Sequence, residues 1–173
     1  RLAQPAGACF RLEANRSGDY SGSNGRMSRS ALFLDVNIPM YAAGQAHELK
    51  ASCVWIMEEI VEGRLNVVAD AEIIQEVLYR FGAIQEWDLG ARMATDLLAI
   101  VPVIYPVTAD EARVAISLFQ QYGSRGVTAR DCLHAAVMKN YGFSEVLSTD
   151  KHFEMIEGLT RIDPQYLYSS AIG

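Results

Sequence analysis

The sequence predicts an α/β fold, a three-layer α/β/α sandwich built on a mainly parallel central sheet. Short apolar runs alternate with longer stretches of helical periodicity along nearly the whole chain, Gly, Pro and Asp sit at the joints, and no internal repeat interrupts the pattern. Strands that alternate with helices in this way pair in parallel and need helices on both faces. At 173 residues, half of them apolar, the chain is long enough for one domain with a sizeable core.

Residues 1–30 stand apart. Gly, Ser, Asn and Arg dominate residues 15–30 and no apolar period is visible, so this segment is expected to be a disordered or appended leader, with Met27 as a candidate natural start. The folded domain is expected over residues 31–173. Its first strand is Ala31-Leu32-Phe33-Leu34. Asn37-Ile38-Pro39 then suits a turn into a short helix ending near Gly44, because Pro is tolerated in a first helical turn and Gly in the closing position. Leu49, Cys53, Ile56, Met57 and Ile60 recur at helical spacing, with Gly63 just past the end.

Asn66-Val67-Val68-Ala69 reads as a buried strand, and Asp70 as the cap of the helix that follows. Trp87 to Ile100 is a helix with Met93, Leu97 and Val101 on one side, limited by Pro102. Val103 to Val107 is strand-like, and Pro106 restricts it to a sheet edge or a strand end. Ala109 to Tyr122 is amphipathic and closed by Gly123, and Thr128 to Tyr141, closed by Gly142, is read as the last long helix. Val146-Leu147-Ser148-Thr149 is a final buried strand.

Bulk properties narrow the function. No apolar run approaches the roughly 18–20 residues that span a bilayer, so a cytosolic protein without membrane partners is expected. Cys9, Cys53 and Cys132 are odd in number and widely spaced, which argues against a zinc or redox pair and for a reducing compartment. His47, His134 and His152 are scattered and read as packing or hydrogen-bonding residues. Residues 1–30 carry five arginines against two acids, so of the total charge of −6 the remainder of the chain carries −9. Nucleic-acid binders more often present Lys and Arg to phosphates; bound divalent cations or a basic partner segment would offset this acidity.

Four carboxylates stand out by position. Asp35 and Asp150 follow apolar strands, where open α/β sheets place their sites. Glu76 lies within Ile73-Ile74-Gln75-Glu76-Val77-Leu78, and Asp131 opens an apolar helix; both are acids among apolar neighbours. Each has a local alternative. Asp35 and Asn37 could organise a turn, Asp150 could cap a helix, Thr128-x-x-Asp131 has capping-box spacing, and Glu76 stands four residues before Arg80. Brought together, the four would be a carboxylate cluster that needs cations to stay ionised, and oxygen-only ligands favour Mg²⁺ or Mn²⁺ over zinc. Such a cluster supports metal-assisted hydrolysis of a phosphodiester. No Gly-x-Ser-x-Gly elbow, phosphate-cradling loop or dinucleotide fingerprint competes with it.

The segments Phe33-Leu34-Asp35-Val36-Asn37, Glu72 to Val77, Ala129 to Ala136 and Ser148-Thr149-Asp150-Lys151-His152-Phe153 resemble, in order, the four motifs of the PIN-domain nucleases. The likeness runs from Ala31 to Pro164. It implies a PIN-like sandwich and a Mg²⁺- or Mn²⁺-dependent endoribonuclease similar to the VapC-like toxins, which commonly dimerise and are held by a small antitoxin with a basic tail. RNA would be the substrate. The resemblance assigns Asp35 as the bridging metal ligand, Glu76 and Asp131 to complete the first site, and Asp150 to hold a second metal or orient water. Asn37, Ser148 and Thr149 would support these acids, while Arg80, Arg130 and Lys151 could touch substrate phosphates. Two alternatives stand beside it: a catalytically silent PIN-like binding module, and an Asp-nucleophile phosphatase, which expects a second acid where Asn37 lies.

Overall fold

Five strands pair in parallel in the order β3-β2-β1-β4-β5. They are β1 (Leu32–Leu34), β2 (Val67–Asp70), β3 (Val103–Tyr105), β4 (Glu145–Leu147) and β5 (Thr160–Ile162). The helices are α1 (Asn37–Ala43), α2 (Lys50–Val61), α3 (Ala71–Ala83), α4 (Trp87–Ile100), α5 (Ala109–Tyr122), α6 (Ala129–Tyr141) and α7 (Pro164–Ile172). This computed structural model describes residues 31–173; the leader expected over residues 1–30 lies outside the described residues.

Alternation along the strands builds the three layers. Successive side chains point to opposite faces, so Leu34, Val67, Ala69 and Leu147 enter a core with Ile56 and Met57 of α2, Ile73 and Val77 of α3 and Leu97 of α4. Phe33, Val68 and Val146 enter a second core with Leu118 of α5 and Cys132, Ala135 and Met138 of α6. Covering both faces leaves the central strands no solvated side, which is why they read as continuous apolar runs.

The chain reverses direction across the sheet at β1. Two crossovers carry it outward to β3, and it then returns to lay β4 against the other side of β1. Such a switch opens a crevice at the carboxyl ends of the two strands that flank it. The residues that follow β1 and β4 therefore face each other there, and they include Asp35, Ser148 and Asp150.

The expected capping chemistry is present. Asp70 Oδ1 accepts from the amides of Glu72 and Ile73 at 3.1 and 3.3 Å and starts α3. Thr108 with Glu111 and Thr128 with Asp131 form reciprocal capping boxes on α5 and α6. Gly142 closes α6 at φ 79°, a left-handed conformation that favours glycine. β3 occupies a sheet edge and stops before Pro106, as a proline there requires.

Two elements go beyond the sequence reading, which took Thr128 to Tyr141 as the last long helix. β5 adds a second edge, and α7 is a further nine-residue helix capped by Asp163 with Pro164 in its first turn. α7 docks on α2, where Trp55 and Tyr168 stand 5.6 Å apart ring to ring. Among the described residues no helix is long and apolar enough to cross a membrane.

Candidate active site

Asp35 stands just past β1 and is 4 % exposed. Its Oδ2 accepts hydrogen bonds from Asn37 Nδ2 at 2.9 Å and from Ser148 Oγ. Burial pushes the Asp35 carboxyl up, against the opposing influence of His134 and of the Ser148 hydrogen bond. Ser148 Oγ also accepts from the Asp150 amide at 2.9 Å, so one hydroxyl joins the end of β1 to the turn after β4. Arg161 Nη1 donates to the Ser148 carbonyl at 3.1 Å and pins this turn from β5.

Glu76 sits on the buried face of α3, between Ile73 and Val77. Its Oε1 accepts from Arg80 Nη2 at 2.7 Å and from Arg130 Nη1 at 2.9 Å. Burial alone would raise the Glu76 carboxyl; His134, Arg80 and Arg130 more than reverse that and bring it down to about 2. Arg80 Nη2 also reaches Asn37 Oδ1 at 3.4 Å, and Arg130 lies over the Tyr79 ring at 5.5 Å.

Asp131 Oδ2 accepts from the Thr128 amide and hydroxyl, both at 2.8 Å, so the capping alternative holds for this residue. It holds for Asp150 as well, whose Oδ1 accepts from the His152 amide at 2.8 Å and starts a 3-10 turn over Lys151–Met155. Neither cap removes the acid from the crevice. Asp131, Asp150 and His152 offer ligand atoms within 4.8 Å of one another, and so do Asp35, Glu76 and His134.

The four sequence-selected acids thus come together as two groups, Asp35 with Glu76 and Asp131 with Asp150, joined through Ser148. Among the described residues, Thr149 is half-buried and Lys151 exposed, and neither hydrogen-bonds the acids. The structure adds two residues that the sequence reading treated as local features. His134 was read as a packing residue and Asp70 as a cap; both are buried, and His134 Nδ1 lies 2.9 Å from Asp70 Oδ2. The spacing Asp131-x-x-His134 was the available signal, since it puts both side chains on one helix face. Burial opposes a proton on His134, but Asp70, Glu76 and Asp35 outweigh it and raise its pKa well above the ordinary imidazole value.

The donor set fits a divalent cation. Buried carboxylates at one crevice repel each other unless positive charge is supplied, and His134, grouped with Asp35 and Glu76, keeps its Nε2 buried with no hydrogen-bond partner.

A parallel α/β sandwich with acids at the carboxyl-end crevice is an architecture that can carry a hydrolase site. The PIN domain family profile matches residues 32–159, and the chain belongs to that family. Ribonuclease VapC13 of Mycobacterium tuberculosis is 28 % identical over 131 residues, covering 76 % of this chain and 98 % of its own length. Ribonuclease VapC23 of the same species is 29 % identical over 119 residues, 69 % of this chain and 92 % of its own. Among solved structures, VapC20 of M. tuberculosis, described as a sarcin-ricin loop cleaving toxin, superposes with a TM-score of 0.61 at 16 % identity, covering 72 % of this chain and 94 % of its own. VapBC2 of Rickettsia felis, solved with a promoter DNA fragment, gives 0.59 at 15 % identity, covering 77 % and 98 %. At such identities the solved structures speak for the fold.

Proposed function

We propose that this protein is a metal-dependent endoribonuclease that hydrolyses RNA phosphodiester bonds and acts as the toxin of a toxin–antitoxin pair. The observation that carries the reading is the meeting of Asp35 and Glu76, 41 positions apart in the chain, as buried carboxylates beside the Asp131–Asp150 pair in the β1/β4 crevice. The ribonuclease names of the VapC13 and VapC23 relatives support the substrate class.

Asp35 and Glu76 would hold the cation, with Asp131 and Asp150 on its flank. Mg²⁺ or Mn²⁺ suits a site this rich in oxygen. Bound there, such an ion would acidify a water for attack and offset charge on the phosphate. Asn37 and Ser148 both grip Asp35 Oδ2 and so fix the orientation of that carboxyl. Arg80 and Arg130 neutralise Glu76 and could swing one guanidinium to a substrate phosphate, for which the planar fork is well matched. The net charge of −9 over residues 31–173 favours an antitoxin whose inhibiting segment is basic, and the homodimer is the one that the resemblance to VapC-like toxins implies.

The test is cleavage of single-stranded RNA with Mg²⁺ or Mn²⁺ present, and again after chelation. Asp35→Asn should lower the metal-dependent rate by more than about a hundredfold, beyond the 10–100-fold loss typical of residues that only support a ligand, with unchanged circular dichroism. Full activity in that variant overturns the reading. A second reading, a silent binding module, draws on the two arginines that already occupy Glu76 Oε1. Mn²⁺ separates the two: at a hundred times its dissociation constant, a ligand of the folded state adds about 2.7 kcal/mol of stability, whereas a silent module gains nothing.

A further inference from the structure

His134 follows Asp131 by three positions on α6, so the two side chains leave the same helix face near the crevice. The imidazole is 1 % exposed. Its Nδ1 lies 2.9 Å from Asp70 Oδ2, while Asp70 Oδ1 is committed to the two amides that start α3. A carboxylate that already receives two N–H donors remains an acceptor, so Nδ1 is the protonated donor of that pair. Asp70 therefore sets the ring's orientation and leaves Nε2 as the nitrogen that faces the acids.

Nε2 has no hydrogen-bond partner although it is buried. It stands 3.9 Å from Glu76 Oε2, beyond hydrogen-bonding range, and a ring nitrogen of His134 lies within 4.8 Å of ligand oxygens on both Glu76 and Asp35. A buried polar atom without a partner carries an uncompensated desolvation penalty, and this one faces the Glu76 carboxylate instead of apolar packing. Phe33, whose ring centroid is 6.0 Å away, meets the imidazole edge-on and accounts for its packing but not for Nε2. A carboxylate behind one ring nitrogen and an open second nitrogen in front is the arrangement by which proteins present histidine to a metal.

We propose that His134 donates Nε2 as a nitrogen ligand to the divalent cation held by Asp35 and Glu76, with Asp70 as the positioning residue behind it. The proposal rests on the metal site of the nuclease reading and deepens it, because a mixed nitrogen and oxygen donor set selects among metals. Mg²⁺ prefers oxygen and keeps its waters, whereas imidazole binds first-row transition ions. The site should therefore favour Mn²⁺ over Mg²⁺ by more than carboxylates alone would. In the opposing reading His134 is only a positive counter-charge to the acids, and Nε2 then carries a proton in place of a metal bond.

The experiment titrates Mn²⁺ into the untagged full chain and follows electron paramagnetic resonance. Loss of the free-ion signal reports binding, and the electron spin-echo modulation of the bound ion reports directly coordinated nitrogen. The expected result is a ¹⁴N modulation that changes to the ¹⁵N pattern when histidine is ¹⁵N-labelled, persists in His152→Gln and disappears in His134→Gln. The labelling result on the wild-type chain stands even if a buried substitution hinders folding. Mn²⁺ bound without histidine modulation overturns this proposal and leaves the nuclease reading intact, as does modulation lost with His152 and not His134. Absence of Mn²⁺ binding overturns both. Asp70→Asn, which keeps an oxygen for the cap, should weaken Mn²⁺ binding by about 10–100-fold with the modulation retained; unchanged affinity removes Asp70 from the scheme.

Discussion

Ser148 donates its hydroxyl to Asp35 Oδ2 across the paired ends of β1 and β4, and Ser148 Oγ in turn accepts from the Asp150 amide. A single buried side chain therefore couples the two halves of the acidic crevice. Its position is possible only because the sheet order places β4 beside β1 in parallel.

Ser148→Ala removes one of the two donors that hold the buried Asp35 carboxylate. Leaving that acceptor short should cost about 1–3 kcal/mol, read as a lower midpoint in urea unfolding. The ionised form of Asp35 is the one that loses support, so its already raised pKa rises further. The acid limb of the RNA-cleavage profile should then move to higher pH. A variant with wild-type stability and an unmoved acid limb would show that Asn37 alone positions Asp35.

Arg130→Gln takes away one of the two guanidiniums on Glu76 Oε1. The Glu76 carboxyl, at about 2 in the intact site, should rise toward the ordinary glutamate value near 4.3. Carboxyl ¹³C chemical shifts followed through an acid titration of the metal-free protein measure it. An unmoved Glu76 would mean that Arg80 and His134 suffice.

Glu111 gives a stability signal remote from the site. Its carboxylate accepts from Asn140 Nδ2 at 2.9 Å and from the Thr108 amide at 2.8 Å, tying α5 to α6, and these bonds lower it to about 2. A carboxyl depressed in the folded state adds stability above its unfolded value of about 4.3. That contribution is lost as pH falls through the folded value. Glu111→Gln should thus lower the melting temperature most at neutral pH, and the gap from wild type should close between about pH 4.3 and 2. A gap constant with pH would place the effect in packing instead of charge.

Gly90 sits where α4 crosses α3, and a Cβ built on it would fall 2.7 Å from Phe81 Cβ. Alanine is the better helix former by up to about 1 kcal/mol, yet the two helices would have to part. Gly90→Ala should destabilise by about 1–3 kcal/mol, the usual cost of overpacking. Gly82→Ala is the control, since nothing lies within 4 Å of its Cβ position. Equal stability of the two variants would contradict the close crossing.

Local patterns in the chain carried most of the architecture. Apolar runs bounded by Asp35 and Asp70 marked buried strands, the Thr128-x-x-Asp131 spacing marked a helix start, and Pro106 marked an edge, because each depends on neighbours within a few positions. α7 escaped although Asp163-Pro164 is a start signal, because its helical status rests on docking Tyr168 against Trp55, more than a hundred positions earlier.

The ordered acids Asp35, Glu76, Asp131 and Asp150 were likewise visible in one dimension, as was the family that their spacing resembles. The partners of those acids were not. That Arg130 pairs with Glu76 from another helix, that Ser148 reaches Asp35 across a strand pair, and that Asp70 turns His134 toward the crevice are consequences of the β1/β4 switch point. Sequence spacing determines which side chains share one element's face, whereas the charge a buried group carries is decided by what other elements bring within a few ångströms of it.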